Sequence, residues 1–309
     1  TEGGGDGGAI VDETAAPSIS NVAISGKLAV GEALSGSYTF EPNTGNTTDA
    51  SEYLWGEKGS TAEKVASGKG DRISQSGVVP NYIIADSDAG QVLEMSIQAK
   101  NALNVKGNLI TKTTSAEIVI PEHTLPADTI ISVNNFNFKV SDNFPTTGYS
   151  GASFKIEIDN PESYSWSSNA SWASVENNGR VTLGTGANNK PVEITMIKSD
   201  KSYKMIYQFT LSRWFSITDV NVERNDLVRA CDNQGMSPVP SYIATNVKVL
   251  DQSASRGATN QLWPEWGSFS IFKYMLSDKL NGNNIGVRGS SGALENTERL
   301  NYFICYKQL

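Results

Sequence analysis

Val222–Asn233 (VERNDLVRACDN) and Leu300–Tyr306 (LNYFICY) decide how the chain is read, because each carries one of the only two cysteines in 309 residues. In the first run Leu227, Val228 and Cys231 share one face at helical spacing, and Gly235 follows where a helix would stop. The second is a terminal apolar strand. A bridge between Cys231 and Cys305 would tie the start of a small domain to its end. On a loop-entropy argument it would add about 4 kcal/mol. Two cysteines 74 positions apart, with no C-x-x-C, do not fit a zinc site or a redox motif. Pairing implies the periplasm or the cell exterior; the alternative is two buried free thiols.

Outward from these runs, residues 215–309 read as α+β. A short helix is expected over Ser241–Val247, after Pro238 and Pro240. Polar loops follow, interrupted by Leu262–Phe272 (LWPEWGSFSIF), and then strands at Ile285–Arg288 and Leu300–Tyr306. No spacer precedes this domain. Arg213-Trp214-Phe215-Ser216 passes straight into it, and the two aromatics, Trp214 and Phe215, predict a packed junction.

Upstream the pattern is all β. Residues 1–16 are rich in Gly and acids and are expected to be a flexible linker. Residues 17–120 hold six or so short alternating runs between turn residues, an immunoglobulin-like sandwich with Trp55 on its third strand and Tyr82 as a corner tyrosine. Asp86 and Asp88 are expected to shape the turn before Gly90, since no third calcium ligand has the right spacing. Residues 121–127 (PEHTLPA) form a Pro-bounded linker. Residues 128–214 form a second sandwich, with strands expected over Ile130–Val140, Phe154–Ile158, Tyr164–Ser167, Ala173–Glu176, Val181–Leu183, Val192–Lys198 and Lys204–Leu211. Trp166 and Trp172 are expected in its core.

Net charge is −8 and uneven: 15 acids against 8 bases in residues 1–120, 9 against 8 in 121–214, and 9 against 9 in 215–309. With no basic face, nucleic acid is not expected as a partner. No run reaches the ~18 apolar residues of a membrane span, so any anchor or export signal is expected outside these residues. His123, the only histidine, sits in the linker, so His-based triads and the usual zinc sets lack their parts. No phosphate-binding Gly motif occurs. Two carboxylates would suffice for a glycosidase, but the expectation is a protein that is not an enzyme and has no cofactor or metal.

Tyr164–Leu183 (YSWSSNASWASVENNGRVTL) is similar to the signature of group 2 bacterial Ig-like domains, and Phe144–Ala152 (FPTTGYSGA) resembles another stretch of that group. Together with Ala230–Val247, Leu262–Gly267 and Asn301–Tyr306, these segments resemble the end of the passenger of the intimin/invasin family, or inverse autotransporters. The resemblance implies a mainly β chain: two tandem Ig-like sandwiches followed by a C-type lectin-like domain. It also implies a bacterial surface protein, held in the outer membrane by a β-barrel, whose terminal pair meets a host-cell receptor. Cys231 and Cys305 match the family's disulfide by position. No Glu-Pro-Asn, Gln-Pro-Asp or Trp-Asn-Asp occurs in residues 215–309, so the calcium and sugar site of true lectins is not encoded.

The expected function is therefore adhesion through the last domain: a monomer binding a receptor, protein rather than glycan, without metal. The alternatives are a secreted effector or structural rod exported through a separate barrel partner, or a glycan-binding lectin. The receptor-binding candidates are Arg256, Trp263, Glu265, Trp266, Arg288, Glu295, Asn296 and Glu298. They combine hot-spot residue types with polar loops. For Trp263 and Trp266 a core position is the competing reading, favoured for at least one of them.

Overall fold

The computed structural model describes residues 10–309. The chain is mainly β and divides into two compact units. One reaches to Pro121 and takes in Asp200–Tyr203; the other holds Glu122–Ser199 and Lys204–Leu309.

The first unit contains β1 (Ser18–Ser25), β2 (Ala33–Glu41), β3 (Glu52–Glu57), α1 (Ala62–Ala66), β4 (Asp71–Arg72), β5 (Val78–Ile83), β6 (Leu93–Lys100) and β7 (Lys106–Thr113). Its sheets, β1-β2-β5 and β4-β3-β6-β7, form a sandwich around Leu34, Val79, Met95 and Ile97. Trp55 stacks on Tyr82 at 5.9 Å and donates its indole N–H to the Pro80 carbonyl. The Tyr82 hydroxyl donates to Asp88, which also accepts the Ala85 amide, so this acid is held within its own turn. The expected linker 1–16 lies partly outside the described residues. Its end is fastened to the sandwich: the Asp12 amide bonds the Thr44 carbonyl, and Asn43 bonds that of Ala16.

The second unit begins with a sandwich of β8 (Ile130–Val133), β9 (Phe136–Lys139), β10 (Thr147–Tyr149), β11 (Ser153–Glu157), β12 (Tyr164–Ser168), β13 (Ala173–Val175), β14 (Arg180–Leu183), β15 (Val192–Lys198) and β16 (Lys204–Phe209). One sheet runs β13-β14-β11-β8-β9 and the other β12-β15-β16. Phe138, Phe144, Phe154, Tyr207 and Phe209 fill the space between them. Trp172 is buried there too, while Trp166 is half-buried and donates to the Pro161 carbonyl. A single strand over Ile130–Val140 is not what forms. Asn134 and Asn135 both take positive φ, 45° and 60°, and fold the run into the β8–β9 hairpin.

The remainder is built from β17 (Arg213–Glu223), α2 (Leu227–Asp232), β18 (Ser237–Pro238), α3 (Ser241–Ala244), α4 (Leu262–Trp266), β19 (Lys273–Leu280), β20 (Asn283–Arg288), β21 (Leu294–Asn296) and β22 (Leu300–Gln308). This is the α+β plan of a C-type lectin-like domain. The expected helix over Val222–Asn233 is shorter, because β17 continues through Glu223. Asn221, Val222 and Glu223 pair with Tyr302, Asn301 and Leu300, and the helix proper starts only at Leu227. The helix expected over Ser241–Val247 likewise ends at Ala244. β19, the central hairpin strand, has no counterpart in the sequence reading. Its stretch, KYMLSDKL, is interrupted by a register shift between Met275 and Lys279 that spoils strict alternation.

Candidate functional site

The terminal domain rests on two devices: an internal staple and a shared seam with the adjoining sandwich. Cys231 on α2 and Cys305 on β22 are bonded, with Cα atoms 5.5 Å apart. Around them Leu227, Met275 and Phe303 close a small core. The staple thus pins α2 onto the central strand of the sheet.

The seam begins with a strand exchange. The sheet of the terminal domain runs β10-β17-β22-β19-β20-β21, and β10 belongs by sequence to the sandwich. Thr147, Gly148 and Tyr149 pair in parallel with Arg213, Trp214 and Phe215. Trp214 and Phe215 are both buried along this line. A Cβ on Gly148 would come within 2.9 Å of the Trp214 ring and 3.0 Å of Leu183 and Leu211, so the close approach of the strands needs glycine there.

Onto β10 falls α4. Trp266 is fully buried, with its ring 5.1 Å from Phe144 and 5.6 Å from Tyr149, and its indole N–H donates to the Thr147 hydroxyl. Beside it the Glu265 carboxylate is also fully buried. One of its oxygens accepts the Thr146 amide (2.9 Å) and hydroxyl (2.5 Å); the other accepts the Thr147 amide (2.8 Å) and hydroxyl. The Asn260 amide adds a longer contact of 3.2 Å. Burial pushes the carboxyl above its ordinary range, against the pull of the threonine donors.

Arg256 completes the seam from the loop before α4. Its guanidinium donates to the carbonyls of Pro264 and Glu265 on one side and of Val133 and Asn134 on the other, and it lies 4.9 Å over the Phe136 ring. Asn134 answers by donating its side-chain amide to the Trp266 carbonyl at 2.6 Å. Burial lowers the Arg256 pKa and raises that of the neighbouring Tyr149 to about 12.

The candidate contact residues therefore separate. Arg256, Glu265 and Trp266 face the sandwich, and Trp263 packs inside the domain with its indole donating to the Gly289 carbonyl. All four side chains are engaged with partners inside this unit. Arg288 and Glu295 form a two-pronged ion pair, both contacts 2.6 Å, with Lys273 3.7 Å from Glu295. This pairing raises the Arg288 pKa and lowers that of Glu295. Asn296 and Glu298 are exposed. Asn134, Thr146 and Thr147 escaped the sequence reading, although the Asn-Asn doublet inside an apolar run is a turn signal. His123 lies where its backbone amide donates to the Lys204 carbonyl, alongside β16. Among the described residues no His, Cys, Asp or Glu group is placed to hold a metal, and no helix is long and apolar enough to cross a membrane.

The arrangement is that of a C-type lectin-like domain seated on an Ig-like sandwich. Residues 129–209 match the family model for invasin, domain 4. Invasin of Yersinia enterocolitica is 28% identical over 156 residues, 48% of this chain and 18% of that protein. The inverse autotransporter adhesin YeeJ of Escherichia coli strain K12 is 26% identical over 203 residues, 58% of this chain and 8% of that one. The chain thus spans less than a fifth of either curated relative. Among solved structures, that of invasin, described as a bacterial integrin-binding protein, superposes with a TM-score of 0.52 at 18% identity, covering 95% of this chain and 59% of that one. These matches relate the chain to the intimin/invasin family of proteins.

Proposed function

We propose that the chain is part of a bacterial surface adhesin, in which the Ig-like residues 17–120 and 128–214 present residues 215–309 as a head that binds a host-cell receptor. The receptor is a protein, engagement needs no metal, and the chain acts as a monomer outside the cell, anchored by a barrel elsewhere in the full-length protein. The observation that carries this reading is the seam. A head that shares a sheet with its support, and is locked to it by Trp266, Glu265 and Arg256, transmits a pulling force without a swivel. The relation to invasin, whose solved structure is described as integrin-binding, supports a protein partner. The sequence also lacks the lectin calcium motifs.

The test is binding of the fluorescently labelled full chain to cultured host epithelial cells, with chelator present throughout. Saturable binding that a Cys231→Ser, Cys305→Ser variant loses is expected. Binding that vanishes after enzymatic removal of cell-surface glycans but survives trypsin treatment would instead favour the lectin alternative.

A further inference from the structure

A hollow on the head lies between α3 and the β19–β20 hairpin, with a volume of about 330 Å³. Its floor is aliphatic, formed by Val247, Ile285 and Leu294. Its rim carries Tyr242, which is 68% exposed, and two exposed lysines, Lys248 and Lys279. A second hollow of about 370 Å³ continues from it across Lys248 toward Val249.

Charge decides what this groove can take. Neither lysine has an ion-pair partner among the described residues. The one acid on the lining, Asp278, is committed to the Ser241 amide at 2.8 Å and the Ser241 hydroxyl at 2.5 Å. In a domain with 9 acids and 9 bases, the groove therefore sets two lysines without ion-pair partners against one hydrogen-bonded carboxylate, a net positive rim around an apolar floor. The floor has no aromatic platform of the kind on which a sugar ring stacks. It fits a branched aliphatic side chain, flanked by carboxylates that reach the rim.

Resting on the adhesin reading, we infer that this groove receives an acidic segment of the host receptor, with an aliphatic side chain on Val247, Ile285 and Leu294 and carboxylates on Lys248 and Lys279. Tyr242 closes over the segment as the aromatic anchor typical of such contacts.

The experiment has two arms, both on the full chain. In the first, NMR shifts are followed with a capped tetrapeptide of alternating aspartate and leucine, its asparagine counterpart, and N-acetylneuraminic acid. Shifts at Val247, Ile285 and Leu294 with the acidic peptide alone are expected. Equal shifts with the asparagine peptide, or shifts with the sugar acid alone, overturn the inference. In the second arm Lys248→Glu with Lys279→Glu is expected to weaken host-cell binding at least about tenfold, and the neutral Lys248→Gln with Lys279→Gln pair to weaken it less. Both lysines are exposed and unpaired, so melting should be unchanged. Cell binding equal to wild type overturns the inference. Failure of the unmodified chain to bind cells sinks the adhesin reading instead, and the groove is then judged by its peptide shifts.

Discussion

Replacing Glu265 by Ala is the most demanding test of the seam. The carboxylate accepts the backbone amides of both Thr146 and Thr147, and Thr147 is fully buried. The two hydroxyls can turn to other acceptors; the two backbone N–H groups cannot. A buried donor left without a partner costs about 1–3 kcal/mol, so the substitution should cost the second unit roughly 2–6 kcal/mol. That is a large fraction of the ~5–15 kcal/mol by which domains are stable. Five of the six tryptophans, all but Trp55, lie in this unit, so its unfolding in urea is read directly from indole fluorescence. The midpoint should fall, while the transition of the first unit stays in place. A double-mutant cycle with Thr147→Val should show coupling, because both changes break the same network. A Glu265→Ala unfolding curve within ~0.5 kcal/mol of wild type would refute the claim that this carboxylate holds the two domains together.

The same residue makes a pH prediction. Its carboxyl is raised in the folded state by burial, so the folded protein binds the proton more tightly than the unfolded chain, whose carboxyl titrates near ~4.3. Stability contributed by this group is therefore greatest below that value. It declines as pH rises toward the folded-state pKa, and is level above it. Carboxylates lowered on folding, such as Glu295 and Glu157, act in the opposite sense. The useful quantity is thus the difference between wild type and Glu265→Gln measured across pH, which should shrink upward through the acid range. A difference independent of pH would count against a raised carboxyl.

Arg256→Ala should destabilise the second unit by about 2–3 kcal/mol, and Arg256→Lys should restore little of it, since one ammonium cannot serve four carbonyls in a plane; amide exchange at residues 133–136 and 264–268 reports the loosening. Cys231→Ser with Cys305→Ser should cost about 4 kcal/mol for a 74-residue closure, with a reductant mimicking it in wild type, read by thermal melting. Trp266→Ala should cost about 3–5 kcal/mol and broaden or split the single unfolding transition expected of sandwich and head, as followed by calorimetry.

How far the sequence carried the fold depended on whether a residue's partners are local. The two sandwiches were legible because alternation and turn residues are short-range signals, and the Trp55–Tyr82 pair sits where such a sandwich places it. The cysteines were legible because there are only two. Misreadings fell where tertiary pairing overrides a local pattern. Val222 looks helical beside Leu227, yet β22 holds it in a strand. β19 hides behind its register shift. The site suffered most. Trp263, Glu265 and Trp266 have the composition of an interface hot spot, and nothing in four consecutive residues tells whether the interface is with another molecule or with residue 147 of the same chain.

That ambiguity is physical, and it shapes the function. A buried carboxylate and a half-buried guanidinium between two domains each pay desolvation that an apolar seam would avoid, so sheer stability is a poor account of why they sit there. What they supply is direction. Arg256 reaches carbonyls on both sides, and Glu265 takes donors from two successive residues of β10, so sliding or rotating the head by one residue leaves several buried groups unpaired at once. Aromatic contacts alone, Trp266 on Phe144 and Tyr149, would tolerate such slippage at modest cost. The polar lock therefore fixes the orientation in which the Lys248–Lys279 groove is presented, and on the adhesin reading proposed above a head under tension has more use for a fixed orientation than for a few more kcal/mol.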